Sequence, residues 1–154
     1  MKILLAADGS EGSRHALREA ARLLPLGQAE VYVLGVTPYA PIVVDPMGGV
    51  GLMHTGTAAW TPGSPPPEDV TARHLDEALA LLREVGVSAT SLERDGDPAA
   101  QILAAAKELP ADMIVLGSHG RSAIGRLVLG SVSENVLHHW HGAVLIIRPE
   151  HKSA

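Results

Sequence analysis

The sequence predicts an α/β fold: a five-stranded parallel sheet with helices on both faces. Five short apolar or β-branched runs alternate with four helix-like runs along the 154 residues. Such alternation is typical of parallel sheets that helices cover on both sides, with right-handed crossovers between strands. A chain of 154 residues can bury a core of its own, so we expect one domain, residues 1–154, with an insertion at residues 37–67.

The first half of the chain predicts two strands and two helices. The apolar run Lys2–Ala7 is the first strand, and the first helix, Glu11–Leu24, follows Ser10, whose hydroxyl suits an N-cap. The second strand is Glu30–Val36, and the second helix is Glu68–Val85. Apolar side chains at helical spacing give each helix a buried face: Ala16, Leu17, Ala20, Ala21 and Leu24 in the first, and Leu75, Ala78, Leu79, Leu82 and Val85 in the second.

The second half predicts three strands and two helices. Val87–Leu92 is the third strand, and its serine and threonine content suits an edge position. Asp97 and Pro98 supply an N-cap and a first-turn proline for the third helix, which continues to Leu109. The remaining elements are the fourth strand (Asp112–Gly117), the fourth helix (Ser131–His141) and the fifth strand (Ala143–Ile147).

The fifth strand predicts a contact between subunits. Its segment Val144–Ile147 is too apolar for a bare sheet edge, which would bind other chains. We expect the same strand of a second subunit to cover it, which makes the protein a homodimer. Coverage by the C-terminal tail is the alternative.

The segment Thr37–Pro67 departs from the regular alternation. It contains seven prolines and a Gly48-Gly49-Val50-Gly51 patch. A connection of this length is either a functional lid or a disordered insertion. It leaves the carboxyl end of the second strand, which is the sheet edge where open α/β folds bind ligands. Its large apolar residues favour a lid or a partner-docking loop: Met47, Leu52, Met53 and Trp60.

Composition excludes several classes of function. The formal net charge of −5 and the 3% aromatic content argue against a nucleic-acid partner, which needs a basic face and stacking platforms. No window approaches the roughly 20 apolar residues that span a bilayer, so no membrane partner is expected. The opening apolar run is too short for a signal peptide, and the chain has no cysteine. We therefore expect a cytoplasmic protein without disulfides or thiolate chemistry.

A glycine-rich connection follows the fourth strand. Gly117 and Gly120 are separated by two residues, and nine residues later Gly130-Ser131 opens the fourth helix. Glycines leave room for a ligand against the main chain, and a helix start presents N–H groups and the positive end of its dipole. The set predicts a phosphate site, although each glycine alone could be an ordinary turn residue. The loop also holds the local cationic cluster, which could pair with phosphates or remain solvated: His119, Arg121 and Arg126.

Other patterns that carry chemistry are incomplete. Gly120–Leu127 looks like a P-loop, but Arg126 replaces the lysine and Leu127 replaces the hydroxyl residue that binds magnesium. The turn after the first strand lacks the GxGxxG pattern of dinucleotide sites. The histidines that end the fourth helix have no cysteine or carboxylate to complete a metal set. No nucleophile and base emerge, so we predict no catalytic residue and no metal ligand.

Together these features resemble the universal stress protein family over almost the whole chain. The family's nucleotide motif is Gly, two residues, Gly, nine residues, Gly and then Ser or Thr, and residues 117, 120, 130 and 131 match it. Three further segments are also similar: Ala7-Asp8-Gly9-Ser10, Gly96-Asp97-Pro98 and the terminal Val-Leu-Ile-Ile-Arg-Pro. The resemblance implies an open sheet in the order 3-2-1-4-5, of the adenine nucleotide alpha hydrolase-like type.

The same resemblance implies an ATP site, with or without Mg²⁺. It puts Asp8 and the main chain of Ala7 beside the adenine, whose edge the main chain of Val36 recognises. It puts Gly117 and Ser118 near the ribose and the α-phosphate. The residues that it assigns to the phosphates are Gly120 and Arg121, along the phosphate path, and Gly130, Ser131 and Val132, which donate N–H or hydroxyl groups. A helix-capping role is the alternative for Asp8.

The function that the resemblance implies is nucleotide-dependent regulation or sensing in stress adaptation, in concert with an unknown protein partner. Two alternatives stay open. One is a slow ATPase or a phosphotransferase, including self-phosphorylation at a loop serine such as Ser118 or Ser122. The other is a protein of the same fold that binds AMP or a cyclic nucleotide.

Overall fold

A computed structural model describes residues 1–38, 42–44, 50–52, 67–118 and 129–148 of the chain. The strands are β1 (Lys2–Ala6), β2 (Glu30–Thr37), β3 (Ile42–Val44), β4 (Val50–Leu52), β5 (Ala89–Asp95), β6 (Met113–Gly117) and β7 (Ala143–Ile147). The α-helices are α1 (Glu11–Leu23), α2 (Pro67–Glu84), α3 (Pro98–Glu108) and α4 (Ser131–His139).

Five of the strands form one parallel sheet in the order β5-β2-β1-β6-β7. Numbered along the chain without the short β3–β4 pair, this order is 3-2-1-4-5. The predicted fold class is therefore confirmed, and so is the edge position of the third predicted strand. The order changes direction between β1 and β6, and open α/β sheets bind ligands at such a switch point.

The strand register brings three residues to one level at the carboxyl edge of the sheet. Leu5 of β1 lies opposite Val33 of β2 and Val115 of β6. Extending this register by two residues along the three strands places Ala7, Gly35 and Gly117 at the same level. Asp8 and Ser118 follow their strands at this level, whereas Val36 still belongs to β2 and pairs with Arg94 of β5.

Helices cover both faces of the sheet because the strands alternate their buried side chains. Ile3 and Leu5 pack with α1 and α2, whereas the intervening Leu4 packs with α3 and α4. Leu17 and Leu82 are fully buried in the first layer, and Val136 is fully buried in the second. Because helices cover both faces of the strands, a ligand site has to form at the strand ends.

The predicted caps of α1 and α3 are confirmed. Ser10 Oγ accepts the N–H of Ser13 at 3.1 Å, and Asp97 Oδ1 accepts the N–H of Ala100 at 2.8 Å. Each side chain satisfies a first-turn donor that has no partner within its own helix. Both helices therefore begin where the sequence predicts.

The bounds of two predicted elements were wrong. The third strand runs over Ala89–Asp95 and not over 87–92, because it pairs with β2 as far as Thr37 opposite Asp95. Val87 belongs instead to the turn that ends α2, where its N–H bonds to the Leu82 carbonyl at 2.9 Å. The fourth helix ends at His139 and not at His141, because its C-cap, Trp140, is extended.

The insertion contains a short hairpin that the sequence did not predict. Ile42–Val44 pairs antiparallel with Val50–Leu52. The rest of the insertion, including Met47, Met53 and Trp60, lies outside the described residues, and so does the lid or docking role predicted for it. In the described part of the chain, no helix has the length and apolar content to cross a membrane.

Candidate functional site

The structure brings five of the predicted site residues to the carboxyl ends of three neighbouring strands. Ala7 and Asp8 follow β1, Val36 lies near the end of β2, and Gly117 and Ser118 end and follow β6. The Ala7 N–H donates to the Leu34 carbonyl at 2.9 Å, so the ladder between β1 and β2 continues to this point. The start of α4 contributes three more predicted residues: Gly130, Ser131 and Val132. Gly120, Arg121 and Arg126 lie outside the described residues.

Asp8 stabilises a turn and does not cap α1. Its Oδ1 accepts the N–H of Ser10 at 2.9 Å, across Gly9, and Ser10 itself is the N-cap. This is an Asx turn, in which a side chain replaces a backbone acceptor. Arg14 of α1 donates to the Gly9 carbonyl from the other side of the turn. The turn therefore holds the Asp8 carboxylate at the edge of the sheet.

Ser118 connects three elements through its main chain. Its N–H donates to the Ile147 carbonyl of β7 at 2.8 Å, and its carbonyl accepts the Gly130 N–H at 2.8 Å. The residue is buried, with 1% of its surface exposed. The N–H of Gly130, which the sequence assigned to a phosphate, is thus engaged within the protein. The other two residues that the resemblance assigns to phosphates here, Ser131 and Val132, have N–H groups at the first helical positions and no acceptor within the helix.

Among the residues that the structure describes, none caps the first turn of α4 through its side chain. Its N-cap, Gly130, has no side chain to accept a first-turn N–H, whereas Ser10 and Asp97 cap α1 and α3. The N–H groups of α4 and the positive end of its dipole meet at the sheet edge beside Gly117. That arrangement suits an anion such as a phosphate.

Ser133 is a site-forming residue whose contact the sequence did not reveal. Its hydroxyl donates to the Gly117 carbonyl at 2.8 Å, and the residue is buried. The sequence indicated only that a hydroxyl suits a helix start. The observed bond instead ties α4 to the end of β6.

The first half of α2 packs against the carboxyl ends of β1 and β2. Thr71 Oγ1 and Thr37 Oγ1 form a buried hydrogen bond of 2.8 Å. A Cβ on Gly35 would lie 2.9 Å from Thr71 Cγ2, and a Cβ on Gly9 would clash with the ring of His74. These contacts come from tertiary packing, and no spacing in the sequence indicates them.

The histidines at the end of α4 are exposed. His139 Nδ1 bonds to the Asn135 carbonyl at 2.8 Å, one helical turn back. Within the described ranges, no group of three His, Cys, Asp or Glu residues could hold a metal ion. Positive side chains at this position interact favourably with the negative end of the helix dipole.

The sheet order and the helices on both faces define an adenine nucleotide alpha hydrolase-like fold. Within that class the chain belongs to the universal stress protein family, whose profile matches residues 1–148. A universal stress protein of Methanocaldococcus jannaschii is 30% identical over 151 residues, which cover 98% of this chain and 84% of that protein. Universal stress protein YxiE of Bacillus subtilis is 33% identical over 147 residues, which cover 96% of this chain and 98% of YxiE.

Solved structures of family members have the same fold. The universal stress protein of Archaeoglobus fulgidus in complex with dAMP gives a TM-score of 0.63 at 22% identity, over 96% of this chain and 97% of that one. A family protein of Arabidopsis thaliana with AMP bound gives a TM-score of 0.66 at 18% identity, over 99% of this chain and 94% of that one. A universal stress protein in complex with cAMP gives 0.64 at 23% identity, over 96% of both chains.

Proposed function

We propose that this protein binds an adenine nucleotide, ATP with or without Mg²⁺, at the carboxyl edge of its sheet. The phosphates would lie at the first turn of α4, near Ser131 and Val132, and the adenine between Asp8 and Val36. Binding would make the protein a nucleotide-dependent regulator or sensor in stress adaptation. The observation that carries the proposal is the uncapped start of α4 beside Gly117, at the switch point of the sheet.

The helix start supports the phosphate half of the proposal. Ser131 and Val132 supply N–H groups that have no acceptor within the helix, and the hydrogen bond from Ser133 to Gly117 holds this helix start close to β6. Anions at such positions are stabilised by N–H groups and by the dipole. The match of residues 117, 120, 130 and 131 to the family's nucleotide motif adds to this argument.

A second ligand class has its own support. The related structures named above hold dAMP, AMP and cAMP, which carry one phosphate each. AMP or a cyclic nucleotide would contact the nucleoside side of the site, and its single phosphate would contact only some of the N–H groups at the start of α4. Comparing ATP with AMP separates the two proposals, because only ATP can gain affinity from its β- and γ-phosphates.

We also propose that the protein is a cytoplasmic homodimer, joined through the fifth predicted strand. β7 is one of the two edge strands of the five-stranded sheet, and Val144, Leu145 and Ile146 are only half-buried in the single chain. Pairing with a second copy would cover both the apolar side chains and the unpaired main-chain groups of this edge. A nucleotide-dependent change could then reach a partner protein through either subunit.

Titration calorimetry with ATP, ADP and AMP, with and without Mg²⁺, tests the proposal. At about a hundred times its dissociation constant, a bound nucleotide stabilises the fold by roughly 2.7 kcal/mol, which a thermal-shift assay detects. Gly130→Val puts a branched side chain at the helix start, so it should abolish this gain. The control is Gly27→Val, since a Cβ there meets nothing within 4 Å.

Three outcomes decide among the possibilities. If Gly130→Val binds ATP as tightly as Gly27→Val does, the phosphate site is not at α4. If AMP binds as tightly as ATP, the ligand is a monophosphate. Steady hydrolysis well above that of Gly130→Val would make the protein an ATPase.

A further inference from the structure

The imidazole of His74 lies against the main chain at Gly9. A Cβ on Gly9 would clash with Cδ2, Cγ and Nε2 of His74. The ring therefore occupies the space that any side chain at position 9 would need. Gly9 also has a φ of +73°, which other residues rarely adopt. Both the backbone and the ring require glycine at this position.

The ring rests on the turn that holds Asp8. Asp8 Oδ1 accepts the Ser10 N–H across Gly9, and Arg14 of α1 donates to the Gly9 carbonyl. Arg14 Nη1 also lies 3.9 Å from Glu77 Oε2 on α2. The turn is thus held from the α1 side by Arg14 and from the α2 side by His74.

α2 also contacts a second glycine at this sheet edge. One turn earlier, Thr71 packs against Gly35, where a Cβ would lie 2.9 Å from Thr71 Cγ2. Gly35 directly precedes Val36, and Gly9 directly follows Asp8. α2 therefore fixes the main chain next to both residues of the proposed adenine side. The phosphate side, at α4, packs against the opposite face of the sheet.

We infer that His74 is a positioning residue for the nucleoside half of the site, acting through the turn that presents Asp8. The inference rests on the proposed function and adds to it a residue from α2, the helix that follows the insertion. Its imidazole fills the space over Gly9 and prevents the turn from moving away from β1. Because His74 acts on the nucleoside side of the site, loss of its imidazole should weaken the binding of every adenine nucleotide by the same factor.

Calorimetric titration of four proteins with ATP and AMP tests this assignment. The proteins are the wild type, His74→Ala, Gly130→Val and a control, His138→Ala, at an exposed position near the end of α4. His74→Ala should raise the dissociation constants of ATP and of AMP alike, each about tenfold. The ratio of their affinities should therefore stay at the wild-type value. Gly130→Val should lower this ratio, and His138→Ala should change neither affinity.

A double-mutant cycle tests the contact itself through stability. Gly9→Ala should lower Tm in the wild-type background, because the methyl group meets the ring and the backbone is strained. In the His74→Ala background the ring is absent, so Gly9→Ala should lower Tm by less. Additive changes in Tm would mean that residues 9 and 74 do not interact, which would overturn the inference.

The binding outcomes separate this inference from the proposed function. If His74→Ala binds ATP and AMP as tightly as the wild type does, the role of His74 is refuted and the proposed function is not. A change in the ATP-to-AMP ratio in His74→Ala would also refute it, since the effect would then reach the phosphates. If the wild type binds no adenine nucleotide, the proposed function fails and the role of His74 fails with it.

Discussion

Ser133 Oγ donates a hydrogen bond to the Gly117 carbonyl at 2.8 Å, which joins the first turn of α4 to the last residue of β6. The Ser118 carbonyl accepts the Gly130 N–H at 2.8 Å in the same place. Two bonds therefore fix the helix start against the strand end. The distance between the proposed phosphate donors and the sheet edge is set by these contacts and not only by the connecting loop.

Replacing Ser133 with alanine tests the importance of this connection. Ser133→Ala removes the donor to the partly buried Gly117 carbonyl, so we expect a loss of about 0.5–1.5 kcal/mol in the free energy of unfolding. Nucleotide affinity should fall as well, because α4 is no longer held at β6. Urea denaturation and calorimetry measure the two effects. Ser91→Ala, at an exposed position on β5, is the control, and equal stability of the two variants would contradict the prediction.

The contact between β2 and α2 predicts that Gly35 cannot be replaced without loss. The added methyl of Gly35→Ala would lie 2.9 Å from Thr71 Cγ2 and 3.0 Å from Leu75 Cγ. Overpacking of this kind costs about 1–3 kcal/mol of unfolding free energy. Gly27→Ala is the matched control, since a Cβ there meets nothing within 4 Å. Denaturation midpoints that agree for both variants would show that α2 can move away from β2.

The ion pair between β5 and α3 predicts an acid-dependent term in stability. The Arg94 guanidinium hydrogen-bonds the Glu108 carboxylate and lowers the pKa of Glu108 below its ordinary value of 4.5. A lowered carboxyl pKa stabilises the fold above the ordinary value, and the contribution is lost as pH falls through the lower, folded value. Glu108→Gln should therefore lose less stability on acidification below pH 4.5.

Salt and a second variant check the origin of this acid effect. Glu108 is exposed, so the difference between wild type and Glu108→Gln should be small and should fade as salt screens the pair. Glu84→Gln, at an exposed position on α2, is the control for removing a negative charge. Acid unfolding curves that coincide for the wild type and Glu108→Gln would contradict the assignment.

The apolar edge strand predicts that a charge in β7 separates the subunits. Ile146→Lys would place an ammonium group in the proposed interface, so we expect a monomer in sedimentation velocity where the wild type is a dimer. Val85→Lys is the control, because Val85 is 55% exposed at the end of α2. A monomeric wild type, or an Ile146→Lys variant that still dimerises, would rule out this interface.

Hydrophobic patterning was sufficient to predict the sheet and its helices. The strands β1, β6 and β7 and the helices α1 and α3 lie within a residue of their predicted bounds, because their apolar spacing and caps are local signals. β5 was misplaced because its last three residues, Glu93–Asp95, are all charged and lack an apolar strand signal, so that its extent depends on pairing with β2. The β3–β4 hairpin was missed because proline and glycine dominate that segment and its apolar runs are only three residues long.

The site was only partly predictable, because some of its contacts are local in the sequence and others depend on packing between distant segments. Residues at or just after the strand ends, such as Gly117 and Asp8, could be located because parallel strands all end at one edge. The contacts of Ser133 with Gly117 and of His74 with Gly9 could not, because they join residues 16 and 65 positions apart through packing. The Gly130 N–H was assigned to a ligand because its acceptor, the Ser118 carbonyl, depends on the path of the loop between them.

A crystal structure of the complex with ATP tests the central claim most directly. We predict phosphate oxygens within about 3.1 Å of the N–H nitrogen atoms of Ser131 and Val132, a usual length for such hydrogen bonds. The adenine should lie between Asp8 and Val36. A triphosphate bound elsewhere on the protein, or a first turn of α4 whose N–H groups are covered by side chains in the complex, would contradict the account.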